Sequence, residues 1–82
     1  MRFTPAEIEN TISEKILALT GKKLSAPGEE LVESGILTSI TLAELALELE
    51  KAFSISFSFM EVSKENFASA TAIKNIVCQK LA

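Results

Sequence analysis

Apolar residues first fall into register at Ile8, Ile12, Ile16 and Leu19, spacings of 4, 4 and 3 that line one face of a helix. Start signals stand just before them. In F-T-P-A-E-I, Thr4 is placed as N-cap, Pro5 at N1, where its missing N–H is harmless, and Glu7 at N3 to close a capping box. Phe3 and Ile8 have the spacing of a hydrophobic staple, and Gly21 is placed as the stop. The pattern predicts a helix over about 5–19. A second stripe, Leu42, Leu45, Ala46, Leu49 and Phe53, predicts a helix that begins near Ser39. A third, Ile73, Ile76, Val77 and Leu81, predicts one over about 70–81, capped by Ser69. A short helix at K-E-N-F, capped by Ser63 with Val62 and Phe67 as staple, is expected between the last two.

Two stretches break the helical period. Residues 20–37 form a long connection containing GKK and SAPGEE, and connections of that length are often functional. Leu31, Ile36 and Leu37 are its expected anchors to the core, and Gly35 its expected positive-φ turn. Residues 53–59, F-S-I-S-F-S-F, alternate strictly, which is a strand signal. No other stretch alternates, and a strand without a partner leaves its backbone unpaired. An extended connector that buries Ile55 and Phe57 is the better reading. The expected fold is all-α: a four-helix bundle with three longer helices, one short third helix and a long first loop, residues 1–82 forming a single domain.

Composition narrows the chemistry. With 82 residues and 48% hydrophobic content the chain suits one small globular domain. It has no His, the commonest general base and transition-metal ligand, and its one cysteine, Cys78, can form neither an internal disulfide nor a cysteine-based zinc site. Cys78 is read as a structural or incidental thiol in a reduced, cytoplasmic setting. No apolar run approaches the ~20 residues of a membrane span, and glutamates stand where a signal peptide needs apolar residues. Residues 1–28 sum to +1 (four basic against three Glu) and residues 29–82 to −4 (four Lys against eight Glu). That balance disfavours nucleic acid and favours basic protein surfaces as partners. No carboxylate pair stands out for acid–base work and no Gly-rich phosphate loop is present, so the chain is poorly equipped as an enzyme.

The residues G-I-L-T-S-I-T-L, 35–42, pose the sharper question. By local rules Thr38 caps a helix beginning at Ser39, and Thr41 with Glu44 offers a competing capping box. Both hydroxyls then have an ordinary explanation. Glu44 and Glu48, spaced i, i+4, repel each other by a few tenths of a kcal/mol. They mark either a partner surface or a solvated face near Lys51.

The wider context separates the two hydroxyls. L-V-E-S-G-I-L-T-S-I, residues 31–40, resembles the modification-site motif of the acyl carrier protein family, in which a serine follows a Gly–apolar–apolar–Asp stretch and opens the second helix. K-A-F-S-I-S-F looks like that family's apolar connector, and E-V-S-K-E-N-F-A-S-A-T-A-I resembles its short third helix and the start of its fourth. The likeness runs through nearly the whole chain in order. It implies a four-helix bundle of acyl-carrier type and a discrete carrier rather than an enzyme. Ser39 would bear a 4′-phosphopantetheine arm taken from coenzyme A by a phosphopantetheinyl transferase, with Thr38 as the helix cap beside it. The arm's thiol would hold an acyl or aminoacyl group as a thioester. Two positions depart from the pattern: Thr38 where Asp is usual and Ile40 where Leu is usual. Implied partners are the transferase, an acyl or aminoacyl ligase, and downstream acyl-transfer or condensing enzymes. Docking is expected at Ile40, Ala43, Glu44, Leu47 and Glu48 by position. The chain is expected to act as a monomer, without metal, nucleic acid or membrane insertion. S-G-I-L-T-S-I leans toward D-alanyl, aminoacyl or peptidyl carriers rather than fatty-acid-synthesis ones, with a polyketide role also open. The alternative from another class is a degenerate helical interaction module that kept the fold without the arm.

Overall fold

The computed structural model describes residues 3–82; Met1 and Arg2, the latter counted in the charge above, lie outside them. The described residues form three α-helices and no strand: α1 (Pro5–Thr20), α2 (Ser39–Phe53) and α3 (Ala70–Leu81). At the head of α1, Thr4 Oγ1 accepts the Glu7 N–H at 3.1 Å and Glu7 Oε1 accepts the Thr4 N–H at 2.8 Å. The helix ends at Gly21, whose φ of 74° is left-handed and whose N–H donates to Leu17 O. α1 packs against both other helices. Its Ile8, Ile12 and Ile16 are fully buried in one cluster with Leu45, Leu49 and Phe53 of α2 and Ile73 and Val77 of α3. Phe3 joins that cluster, its ring edge-on to Phe53 at 4.9 Å.

Ion pairs tie the helices at their margins. Lys74 of α3 reaches Glu9 of α1 at 2.7 Å, and that carboxylate raises the Lys74 pKa. Lys15 of α1 reaches Glu48 of α2 at 3.5 Å.

The fourth helix of the expected bundle is absent: three α-helices stand where four were expected. Ser63 Oγ accepts the Asn66 N–H at 3.2 Å and Ser63 O accepts the Phe67 N–H at 3.1 Å, which is one turn and no more. Ser69, with φ −152° and ψ 166°, is already extended as the N-cap of α3. Between these two caps the chain is too short to offset the cost of helix nucleation. The local helical turn lies instead at Phe59–Glu61, a 3₁₀ turn boxed by Ser58 and Glu61. Ser54 closes α2 in the left-handed region (φ 56°), and residues 55–58 follow as a connector that is neither helix nor strand. Ile55 and Phe57 are half-buried against the core while Ser54, Ser56 and Ser58 are exposed. Its alternation therefore separates inside from outside without any sheet. Glu50 Oε2 holds the connector by accepting the Phe57 N–H at 2.7 Å, and the Phe57 ring meets Phe67 edge-on at 5.7 Å.

Residues 21–38 join α1 to α2 and are stitched to the start of α3. Pro27 O accepts both the N–H and the hydroxyl of Thr71, at 3.1 and 3.2 Å. Ala68 O accepts the Leu31 N–H at 2.8 Å, and Leu31 O accepts the Leu37 N–H at 2.8 Å. Leu31 and Leu37 are buried and Ile36 half-buried. Glu30 Oε1 takes the N–H groups of Val32 and Glu33, and Gly35 turns the chain at φ 85°. Leu31→Ala removes a fully buried side chain from this strap, and its expected cost is about 2–5 kcal/mol. Urea unfolding measures it; a loss well below that range would show that the strap is not part of the cooperative core.

Candidate functional site

The strap delivers the chain to the head of α2. Thr38 is extended (φ −91°, ψ 175°) and caps the helix. Its Oγ1 accepts the Thr41 N–H at 3.2 Å, and Thr41 Oγ1 accepts the Thr38 N–H at 2.7 Å. Thr38 O takes the first helical bond, from Leu42 N–H at 2.8 Å. The reciprocal partner in the box is thus Thr41, not a glutamate, and the first turn of α2 carries no acidic residue.

Ser39 is the first helical residue, is exposed, and its hydroxyl makes no hydrogen bond among the described residues. The N–H groups of Ser39 and Ile40 are likewise open to solvent, as at any helix start once the cap has served the third position. A free hydroxyl beside two unpaired N–H donors and the positive end of a helix dipole suits a phosphodiester anion. No carboxylate of the first turn opposes that charge.

Of the docking residues expected by position, Ile40, Ala43, Glu44 and Leu47 share one exposed stripe of α2, with Ile40 74% and Leu47 57% accessible. Glu48 sits apart. It is half-buried and drawn between Lys15 at 3.5 Å and Lys51 at 3.8 Å. Glu44 has no ion pair among the described residues.

The sequence reading did not single out Phe59 and Met60. They stand on the 3₁₀ turn at 92% and 81% exposure. Phe59 lines a groove of about 400 Å³ together with the stripe residues Ala43 and Leu47, with Ala46 and Glu50 of α2, and with Phe57, Ser58 and Val62. The signal that could have located this turn is S-x-x-E at Ser58–Glu61, a capping-box spacing. Glu61 Oε1 accepts the Ser58 N–H at 2.8 Å and meets Lys80 of α3 at 2.6 Å, while Asn66 Nδ2 donates to Glu61 O. The turn that presents Phe59 is braced on three sides. Cys78 is half-buried in α3, and no group of His, Cys, Asp or Glu able to hold a metal ion occurs among the described residues.

A family model, described as a phosphopantetheine attachment site, matches residues 10–77, and the chain belongs to that family. Its prosthetic group is a covalently attached 4′-phosphopantetheine, and its carrier domains, typically non-catalytic, interact with phosphopantetheinyl transferases and with biosynthetic enzymes. No curated protein and no solved structure matches the chain. No described helix is long and apolar enough to cross a membrane.

The Lys80 ammonium, and then the Ser58 N–H, hold the Glu61 carboxyl below the ordinary glutamate range. Because the folded pKa is depressed, the stabilisation of the turn is present at neutral pH and fades as pH falls through that depressed value. Lys80→Met is expected to bring the Glu61 pKa back toward the ordinary range in an NMR carboxyl titration. An unmoved pKa would mean that the pair does not form in solution.

Proposed function

We propose that residues 1–82 work as one carrier domain and that Ser39 is the attachment point of the 4′-phosphopantetheine arm. The carrying observation is the exposed, unbonded Ser39 hydroxyl at the first position of α2, beside two open N–H groups. In the transfer the Ser39 oxygen forms a new bond to phosphorus, the pyrophosphate bond of coenzyme A breaks, and the nucleotide leaves as the adenosine bisphosphate. The serine proton passes to a base, which the chain does not provide: the Ser39 hydroxyl has no hydrogen-bond partner among the described residues and the sequence has no histidine. Base and Mg²⁺ belong to the transferase. The chain's own contribution is a rigid, accessible hydroxyl. Once in place, the arm supplies a thiol that carries an acyl or aminoacyl group as a thioester.

The carrier then presents that group to an acyl or aminoacyl ligase and to acyl-transfer or condensing enzymes, acting as a monomer in the cytoplasm and not as an enzyme itself. The lone cysteine supports the reducing setting. Docking uses the α2 stripe of Ile40, Ala43, Glu44 and Leu47, joined by Phe59 across the groove. Glu44 offers the free charge, and Glu48 contributes from the margin through its shared pairing. Charge on this face speeds encounter and selects partners more than it adds affinity. The second reading, an interaction module without the arm, draws on Thr38 standing where the family pattern has Asp.

Incubation with coenzyme A and a broad-specificity phosphopantetheinyl transferase is expected to add the mass of one arm, and Ser39→Ala to abolish the gain while the circular dichroism stays helical. An unchanged wild-type mass across several transferases selects the interaction module. Glu44→Lys is expected to slow loading by the partner ligase, most at low salt, without unfolding the domain. Equal loading rates at low salt would remove the charged stripe from the docking surface.

A further inference from the structure

Thr41 is not a residue that the carrier reading uses, yet it has more contacts to the cap of α2 than any helix start requires. Its Oγ1 lies 2.7 Å from Thr38 N, 3.1 Å from Thr38 Oγ1 and 3.3 Å from Thr38 O. The Thr41 N–H returns a bond to Thr38 Oγ1 at 3.2 Å. All the polar atoms of Thr38 therefore engage residue 41, and its carbonyl also takes the Leu42 bond. A single N-cap bond would satisfy one orphan donor. Four contacts between two residues, three of them to backbone groups, also restrain the backbone torsions of residue 38, and with them the direction in which residue 39 leaves.

Ser39 and Ile40 are clamped from both sides. On one side Leu37 is buried, its N–H bonded to Leu31 O. On the other Thr41 is half-buried and is followed by buried Leu42. Of the three exposed residues between the clamps, Thr38 has its N–H bonded to Thr41, and Ser39 and Ile40 have side chains in solvent and N–H groups without a partner among the described residues. We infer that Thr41 is a positioning residue for the attachment at Ser39, its hydroxyl locking Thr38 so that the Ser39 oxygen meets an incoming phosphorus in one orientation. The inference rests on the carrier reading above. It makes the site a neutral hydroxyl pair that performs by mutual bonding what a carboxylate cap performs by charge. Threonine at position 38 is then sufficient because position 41 is also threonine.

The test is the kinetics of arm transfer from coenzyme A to the full chain, wild type against Thr41→Val and Thr41→Ser. Valine keeps the β-branched shape and removes the hydroxyl. The exposed Thr38 N–H then turns to water, so the helix survives. A misplacement of an ångström costs up to ~100-fold in rate, and the looser orientation expected here costs roughly ten-fold in kcat, with KM for the carrier unchanged. Thr41→Ser restores kcat. A purely structural role would lower the melting temperature of the valine variant and leave kcat, measured well below that temperature, at the wild-type value.

Backbone NMR order parameters give a second readout that needs no transferase. In Thr41→Val they should fall at Ser39 and Ile40 and hold at Leu45. Wild-type kcat in the valine variant, or unaltered order parameters at Ser39, overturns the inference while leaving the carrier reading intact. A wild-type chain that gains no arm overturns the carrier reading and the role of Thr41 with it.

Discussion

The backbone N–H of Leu31 donates to Ala68 O, and beneath that bond the Leu31 side chain is fully buried. The connection between α1 and α2 contains no helix or strand to hold it, so its backbone groups need partners elsewhere. It finds them at the head of α3: Leu31 on Ala68, and Pro27 on Thr71. From Leu31 the strap passes to Leu37 through one more backbone bond and reaches the cap of α2. The place of Ser39 is therefore set by residues about thirty positions later in the chain as much as by its own neighbours. Loss of the Ala68 contact would leave α2 well packed along its length and its first turn poorly aimed.

Charge and apolar surface are divided unevenly over the molecule. Glu48, Glu9 and Glu61 are each used within the fold, against Lys15 and Lys51, Lys74, and Lys80. These pairs set three Glu against four Lys, so they do not reduce the net negative charge of −3 but decide where on the surface it is left free. On the α2 stripe it comes down to Glu44. What the same face has in quantity is exposed apolar area from Ile40 and Leu47, with Phe59 across the groove. Clusters of that kind on a small domain mark places where another molecule is met.

Much of this could be read from the chain. The three long helices, the cap at Thr4, the stop at Gly21 and the burial of Leu31 and Leu37 follow from spacing and from residues with one obvious task. K-E-N-F forms one turn and no helix because Ser69, six residues after Ser63, is already extended as the cap of α3, which leaves the Ser63 start no room to propagate. Propensity looks at each start in isolation and does not see that the chain between them is spent. The alternation at 53–59 was legible as inside and outside, but what it runs beside was not. Phe59 is hidden because alternation alone does not say whether the last residue of the run still faces the core; the local S-x-x-E spacing marks the Ser58–Glu61 turn, and Lys80 from the final helix, which braces it, is distant in sequence. The site divides the same way. In the sequence Ser39 is set apart only by the resemblance of its surroundings, while the Thr38–Thr41 box is hidden there because Glu44 stands at capping-box spacing from Thr41 as a competing partner.

The strap also has a meaning in time. Its bonds to residues 68 and 71 join the approach to Ser39 and the first turn of α3 into one contiguous patch of hydrogen bonds and buried leucine. Such patches open together rather than residue by residue. Opening of the strap is then expected to go together with fraying at the start of α3, a subglobal event on the microsecond-to-millisecond scale or slower, and not the nanosecond wandering usual for a loop. To anything that approaches it on a faster clock, the serine stands still.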